Sequence, residues 1–283
     1  MFGIINVYKP RGMTSHDVVS VLRRITKIKQ IGHTGTLDPF AEGVLPICIG
    51  KATRLIEYLA DDKAYIGTIQ LGKSTTTYDT EGDVVNVSDK TVTLKEIEEA
   101  LQHFIGDIEQ YPPLYSAIKV NGKKLYEYAR KGENVEIKPR KVNITCLKIL
   151  NYDEKHRQAK IYIECSKGTY IRSIANDLGE ILGTHGYLLN LIRSKAGIFV
   201  LENSINLNNI KTIADIQMHL INPIKCINLP CKEINETDLK RISNGNPLKL
   251  NIQDGEIILT NKNSLISIGT VSSGIFKCHK VFI

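Results

Sequence analysis

Apolar and polar residues alternate along 3–8 (Gly-Ile-Ile-Asn-Val-Tyr), which predicts a half-buried first strand. Thr14 followed three residues later by Asp17 is a capping-box signature, and the apolar spacing behind it predicts an amphipathic helix to about Ile28. A helix near 51–60 and a strand over 63–71 follow, and the Asp/Gly-rich stretch 78–83 breaks regular structure. Thr93 with Glu96 caps a helix over 94–105, which Gly106 ends. The Asn121-Gly122 pair predicts a hairpin that includes Ser116–Lys119, with a short helix over 124–131 behind it. Two β-rich runs, 140–151 and 159–165, precede Gly168 and an amphipathic helix over 171–182. Strands and helices intermix without a regular strand–helix–strand rhythm, which favours an α+β fold on a mixed, mainly antiparallel sheet.

The pattern changes after residue 222. Short apolar runs at Glu256–Thr260, Leu265–Val271 and His279–Ile283 alternate with Gly/Asn/Lys turns, predicting a small β-barrel-like C-terminal domain. A chain of 283 residues exceeds the usual single-domain size, so 1–222 and 223–283 are expected as two domains. The sequence shows no internal repeat, heptad or low-complexity tract. Hydrophobic residues make up 42% and charged residues 24%, an ordinary balance for a folded globular chain. No apolar run is long enough to span a membrane, and the N-terminus lacks a secretory pattern, so a cytoplasmic location is the expectation. The six cysteines are scattered without a CxxC pair, which reads as free thiols and supports no metal site.

The net charge of +7 is unevenly placed: residues 119–148 carry nine Lys/Arg against three Glu. With Tyr115, Tyr126 and Tyr128 interleaved, this segment has the composition of a polyanion grip, although a solvated surface would also look basic. The candidate chemistry lies in 31–54, read as one loop in which Gly32, Gly35 and Gly43 free the backbone while Pro39 and Pro46 restrict it around Asp38. Such an aspartate can be a nucleophile, a general base or a metal ligand, or simply cap a turn. No second carboxylate stands two residues away, so a paired-aspartate metal site is not supported. Gly50-Lys51 fails the phosphate-loop pattern, since Leu45 occupies the glycine position and Ala52 follows the lysine. There is no GxSxG nucleophile elbow.

The run Gly32-His33-Thr34-Gly35-Thr36-Leu37-Asp38-Pro39, followed by Gly43-Val44-Leu45-Pro46, resembles the catalytic motif of TruB-type tRNA pseudouridine synthases. Lys9-Pro10-Arg11-Gly12-Met13-Thr14-Ser15, Lys63-Ala64-Tyr65 and Ser166-Lys167-Gly168-Thr169-Tyr170-Ile171-Arg172-Ser173 resemble further motifs of that family. So do Tyr115–Lys119 and Gly122–Arg130, all in the family's order from about residue 3 to 200. The resemblance implies a pseudouridine synthase fold, with 223–283 as a reduced PUA-like domain. It implies isomerisation of uridine 55 in the T stem-loop of tRNA to pseudouridine, with no metal and no organic cofactor.

By the same resemblance Asp38 is the nucleophile, Arg172 its ion-pair partner and Tyr65 the residue stacked on the target base. His33 fills the space vacated by flipped nucleotides, Tyr170 and Leu191 line the uracil pocket, and Lys9 and Pro10 support the loop on the substrate side. Lys119, Lys123, Lys124 and Arg130 belong to a thumb over 113–141 that closes on the RNA. An adjacent guanidinium is expected to offer Asp38 a bidentate fork. The segment Asn190–Gly197 follows the family's arginine-rich strand loosely, leaving Arg193 without an assigned role. Three rivals stand beside this reading: a non-catalytic RNA-binding or tRNA-folding protein, a family member working in a guide-RNA complex, and an aspartate-nucleophile hydrolase that needs no RNA. A monomer is the default expectation.

Overall fold

The computed structural model describes all 283 residues. Its centre is a ten-stranded mixed sheet. Eight strands run side by side in the order Ile205–Asn206, Gly3–Lys9, Glu42–Ile49, Gly186–Ala196, Lys63–Leu71, Gln158–Cys165, Arg140–Asp153 and Gly106–Gln110. Ile31–His33 pairs beside Glu42–Ile49, and Phe199–Val200 beside Gly186–Ala196. Two pairings are parallel, Gly3–Lys9 with Ile205–Asn206 and Glu42–Ile49 with Gly186–Ala196; the others are antiparallel. The fold class is therefore α+β on a mixed, mainly antiparallel sheet.

Helices cover the sheet where their apolar stripes dictate. The Thr14/Asp17 capping box starts the Ser15–Thr26 helix, and Lys27 ends it in the left-handed conformation. Its buried residues Val18, Val19 and Leu22 pack against Ile5, Val7, Leu45 and Ile47 of two central strands. The Ile171–Leu182 helix buries Ile171, Ile174, Ala175, Leu178 and Leu182 in a second cluster with Tyr65, Ile69, Ile161, Ile163 and Leu188. That burial fixes the helix, and with it Arg172 one residue inside its N-terminus, against the middle of the sheet.

The C-terminal residues form a curled five-stranded sheet in the order Cys231–Glu233, Gly255–Asn261, Ser264–Ser272, Ile275–Val281 and Leu248–Lys249. It has its own apolar cluster around Ile257, Leu259 and Phe276. A further cluster joins it to the first sheet, with Ile4, Val44, Cys48 and Leu55 on one side and Ile258, Leu265, Ile268 and Phe282 on the other. No helix is long and apolar enough to cross a membrane.

Several elements depart from the sequence expectation. The stretch 31–54 is not one loop: it holds the strands Ile31–His33 and Glu42–Ile49, and only 34–41 lacks regular structure. Glu42–Ile49 is almost wholly buried, and a strand buried on both faces has no alternation to reveal it. Pro46 is tolerated because its carbonyl, which accepts Thr34 N–H at 3.1 Å, points to the edge where the chain leaves Ile31–His33. The missing N–H lies on that same edge, at a gap in the pairing. The helix expected near 51–60 is a 3-10 helix over Gly50–Tyr58 with no capping side chain. The 94–105 helix divides into an α segment, Leu94–Leu101, and a 3-10 turn, Gln102–Phe104. The last strand is shifted from the expected 279–283 to Ile275–Val281.

Gly43 is where the sheet and the Asp38 loop meet. Its φ of +108° is a conformation L side chains rarely adopt, and a Cβ there would lie 2.4 Å from the Arg193 carbonyl oxygen of the neighbouring strand. Both are backbone constraints that no rotamer change relieves. Gly43→Ala is expected to lower unfolding stability by at least about 2 kcal/mol, measured by chemical denaturation.

Candidate active site

The loop 34–41 is held from beneath by groups that donate to its backbone. Lys9 has no exposed surface, and its ammonium donates to the carbonyls of Met13 (2.6 Å), Pro10 (3.0 Å) and Pro39 (3.4 Å). Gly12 N–H adds a 2.8 Å bond to the same Pro39 carbonyl. The Ser15 hydroxyl bridges the loop's middle, donating to Leu37 O at 3.0 Å and accepting Leu37 N–H at 2.8 Å. Arg193, also without exposed surface, donates to the carbonyls of Val44 (2.7 Å), Thr36 (3.2 Å) and Gly35 (3.1 Å). These donors hold the loop's backbone at both ends and in the middle, and so set the position from which Asp38 projects.

Asp38 lies against Arg172, whose Nε stands 3.0 Å from Asp38 Oδ2. That N–H does not meet hydrogen-bond alignment, so the contact is an ion pair rather than an aligned hydrogen bond. The expected bidentate fork on Asp38 is therefore not what forms. The guanidinium is shared: Nη1 lies 3.2 Å from Asp79 Oδ2 and donates to Thr77 O at 3.2 Å, while Nη2 donates to Tyr115 O at 3.1 Å. Asp79 is buried, its other oxygen accepting the Thr77 hydroxyl at 2.5 Å and Glu81 N–H at 2.9 Å. In the sequence Asp79 is part of the Asp/Gly-rich stretch expected only to break regular structure, and nothing local distinguishes it from other turn aspartates.

Above this pair lies a cavity of about 250 Å³, lined by Gly35–Asp38, Lys63, Tyr65, Ser116, Ala117, Gly168–Arg172 and Leu191. It brings together Asp38, Tyr65, Arg172, Tyr170 and Leu191, which the sequence scatters over more than 150 positions. Tyr65 and Leu191 are nearly buried, at 7% and 6% exposure, so their apolar surfaces form its wall. Tyr170 is fixed by Gln110, which accepts Tyr170 N–H at 2.7 Å and donates to Tyr170 O at 2.9 Å. Gln110 is a second residue that the sequence did not reveal. A larger cavity, about 760 Å³, lies elsewhere, between the N-terminal strand and the C-terminal sheet, and holds none of these groups.

The other sequence candidates fall outside the cavity. Lys9, grouped on the substrate side, is sealed beneath the loop and serves its backbone; burial lowers its pKa to about 8. His33 ends its short strand and does not line the cavity; burial, then the Arg193 charge, pushes its pKa down, which favours the neutral ring. Lys119, Lys123, Lys124 and Arg130 sit on the hairpin of Lys119–Val120 and Lys123–Lys124 and on the Leu125–Lys131 helix. There Lys124 and Arg130 lie 5.3 and 5.4 Å from the Tyr126 ring centre, and Lys123 lies 5.5 Å from that of Tyr128. These tyrosines thus already carry cations on their faces. The segment meets the site through its base, where Ser116 and Ala117 line the cavity and Tyr115 accepts from Arg172.

The electrostatics follow from this placement. Burial pushes the Asp38 carboxyl above its ordinary value near 3.8, the Arg172 guanidinium opposes this, and Asp79 adds to the upward push. The side chain still keeps 35% of its surface open to the cavity, so solvent moderates the effect of the crowding protein atoms. Burial also raises the Tyr65 phenol, against the lowering influence of Arg193.

A carboxylate on a fixed loop, paired to a shared guanidinium at the floor of a cavity walled by an aromatic ring, is the arrangement of an enzyme active site. The comparisons say which. Residues 23–171 match the TruB family pseudouridylate synthase N-terminal domain. The chain is 47% identical over 259 residues to tRNA pseudouridine synthase B of Oceanobacillus iheyensis, covering 88% of this chain and 85% of that one. It is 42% identical over 287 residues to tRNA pseudouridine synthase B of Caldanaerobacter subterraneus, covering 99% of each. Among solved structures, a chain in an H/ACA RNP bound to a substrate RNA containing 2′-deoxyuridine superposes with a TM-score of 0.72. That likeness covers 100% of this chain and 85% of the other at 22% identity, and shows a shared fold. The chain belongs to the TruB family of pseudouridylate synthases and is an isomerase acting on RNA.

The shared guanidinium yields a signed prediction. The Asp38 carboxyl binds its proton more tightly in the folded chain than in the unfolded one, so its contribution to stability falls as pH rises from the unfolded value through the raised one. Asp79→Asn removes the neighbouring negative charge and releases Arg172 toward Asp38, and both effects act downward. Carboxyl-carbon NMR, with Asp38 assigned by substitution, is expected to show the Asp38 midpoint moving to lower pH in Asp79→Asn.

Proposed function

We propose that this chain converts uridine 55 in the T stem-loop of tRNA to pseudouridine, with Asp38 as the nucleophile. The observation that carries this reading is the Asp38–Arg172 pair at the floor of a cavity sized for one nucleotide's base and sugar, in a chain whose relatives along its full length are tRNA pseudouridine synthases B. The reaction breaks the N1–C1′ glycosidic bond, forms a C5–C1′ bond, loses the C5 proton and gains one at N1. A carboxylate suits it, because it can attack the sugar or base as a nucleophile and later leave. Arg172 favours the ionised carboxylate and holds it at the cavity floor, where the substrate enters.

Tyr65 stacks on the base and moves a proton as it detaches and turns, with Tyr170 and Leu191 closing the pocket around the ring. Entry requires extrusion of the nucleotide, which costs a few kcal/mol of stacking and pairing. His33, whose lowered pKa favours the uncharged ring, fills the space left in the loop. Lys119, Lys123, Lys124 and Arg130 within the 113–141 thumb close on the phosphates; the exposed Lys119 is in no ion pair, whereas Lys123 must leave Glu133, 3.6 Å away, to reach them. Because Tyr115 accepts from Arg172, thumb closure and catalytic geometry share a contact. Residues 223–283 act as a PUA-like module that extends the RNA grip. The enzyme works in the cytoplasm as a monomer, without metal or organic cofactor.

Asp38→Asn is expected to leave no pseudouridine at position 55, read by carbodiimide modification and primer extension on a tRNA transcript. Its transcript affinity should stay within about tenfold, or 1.4 kcal/mol, by filter binding. Loss of both together would make Asp38 a structural residue, and full activity would remove it from the chemistry.

A further inference from the structure

Arg193 is the largest side chain in the protein with no exposed surface, and no carboxylate lies within 4.0 Å of it. Its guanidinium donates to three backbone carbonyls, Val44 at 2.7 Å, Gly35 at 3.1 Å and Thr36 at 3.2 Å, and also lies within hydrogen-bonding reach of the Tyr65 phenol. A buried cation without a counter-ion is costly to fold around. A packing role alone would be served by an apolar side chain of similar length. Its surroundings locate another role. Arg193 stands directly opposite Tyr65 in the antiparallel pairing of Gly186–Ala196 with Lys63–Leu71, so the two side chains share one face of the sheet. In the parallel pairing on its other side it stands opposite Gly43, whose missing side chain lets the two backbones meet. One guanidinium therefore touches the leading end of the Asp38 loop and neighbours the phenol that walls the cavity.

We propose that Arg193 is a positioning residue for the isomerisation, acting in two ways through groups that meet the substrate. Its fork fixes the Gly35 and Thr36 carbonyls and so sets where Asp38 stands, and its guanidinium, held opposite Tyr65 across the strand pair, acts on the phenol that walls the cavity. This inference rests on the reading of the cavity as the uridine site. The groups facing Tyr65 are Arg193, Cys165 and Asp38; burial raises the phenol's pKa, Cys165 and Asp38 add to the rise, and Arg193 is the group that opposes it. Lys9 plays the loop-fixing part alone from the other end, on Pro39 O, without facing Tyr65.

The test uses the full chain labelled with 3-fluorotyrosine, with the Tyr65 fluorine resonance assigned by Tyr65→Phe, in the intact protein and in Arg193→Lys and Arg193→Met. Arg193→Met is expected to raise the Tyr65 midpoint by about one pH unit, the low end for a nearby unit charge. Arg193→Lys keeps the charge but not the fork. It should hold the midpoint while single-turnover isomerisation of a tRNA transcript slows by at least about tenfold, with transcript affinity unchanged. An unmoved Tyr65 midpoint in folded Arg193→Met overturns the electrostatic half, and intact-protein rates in Arg193→Lys overturn the loop-fixing half. Should Arg193→Met fail to fold, Arg193→Gln, which also removes the charge, takes its place in the titration. Failure of the unsubstituted chain to isomerise the transcript would instead remove the reading of the cavity, whatever the titration shows.

Discussion

The structure turns on the Arg172 guanidinium. It joins three pieces of chain: the loop bearing Asp38, the turn bearing Asp79 and the base of the basic segment at Tyr115. Arg172 can do this because the Ile171–Leu182 helix is pinned to the sheet by its own apolar face, so the side chain emerges at a fixed point. A guanidinium presents donors in a rigid planar arrangement, and here they are divided among two carboxylates and two carbonyls. No lysine could span the same set.

Beneath this pair the protein spends two fully buried cations on backbone carbonyls. Lys9 holds one end of the 34–41 loop and Arg193 the other, with Ser15 between them. A loop secured through its own carbonyls has less freedom than one secured by side-chain packing, and preorganisation of this kind is what a reacting carboxylate needs. The positive charge beneath the loop also shapes the titration of its neighbours, lowering His33 and opposing the rise at Tyr65.

Much of the frame was legible in the sequence because its signals are local. The Thr14/Asp17 and Thr93/Glu96 boxes begin their helices, and the strand 63–71 and the amphipathic run 171–182 have the bounds expected. Glu42–Ile49 was missed because a strand buried on both faces and carrying Gly43 and Pro46 looks like a loop to any rule based on alternation. Within the site, Asp38 and Arg172 were visible through spaced motifs, whereas Asp79, Gln110 and the role of Arg193 depend on partners 60 to 158 positions away. Such residues carry no periodic or spacing signal; only the folded chain gives them their meaning. The sharing of Arg172 was hidden for the same reason, since a fork on Asp38 alone could not be distinguished from one divided with Asp79.

The most direct test is tritium release from a tRNA transcript labelled at uridine C5, comparing the intact chain with Arg172→Lys. The account predicts release by the intact chain only when the T-loop target is uridine, and a rate about a hundredfold lower in Arg172→Lys, which keeps the charge but cannot hold both acids and both carbonyls in place. Release from a transcript with cytidine at the target, or an undiminished rate in Arg172→Lys, would contradict it.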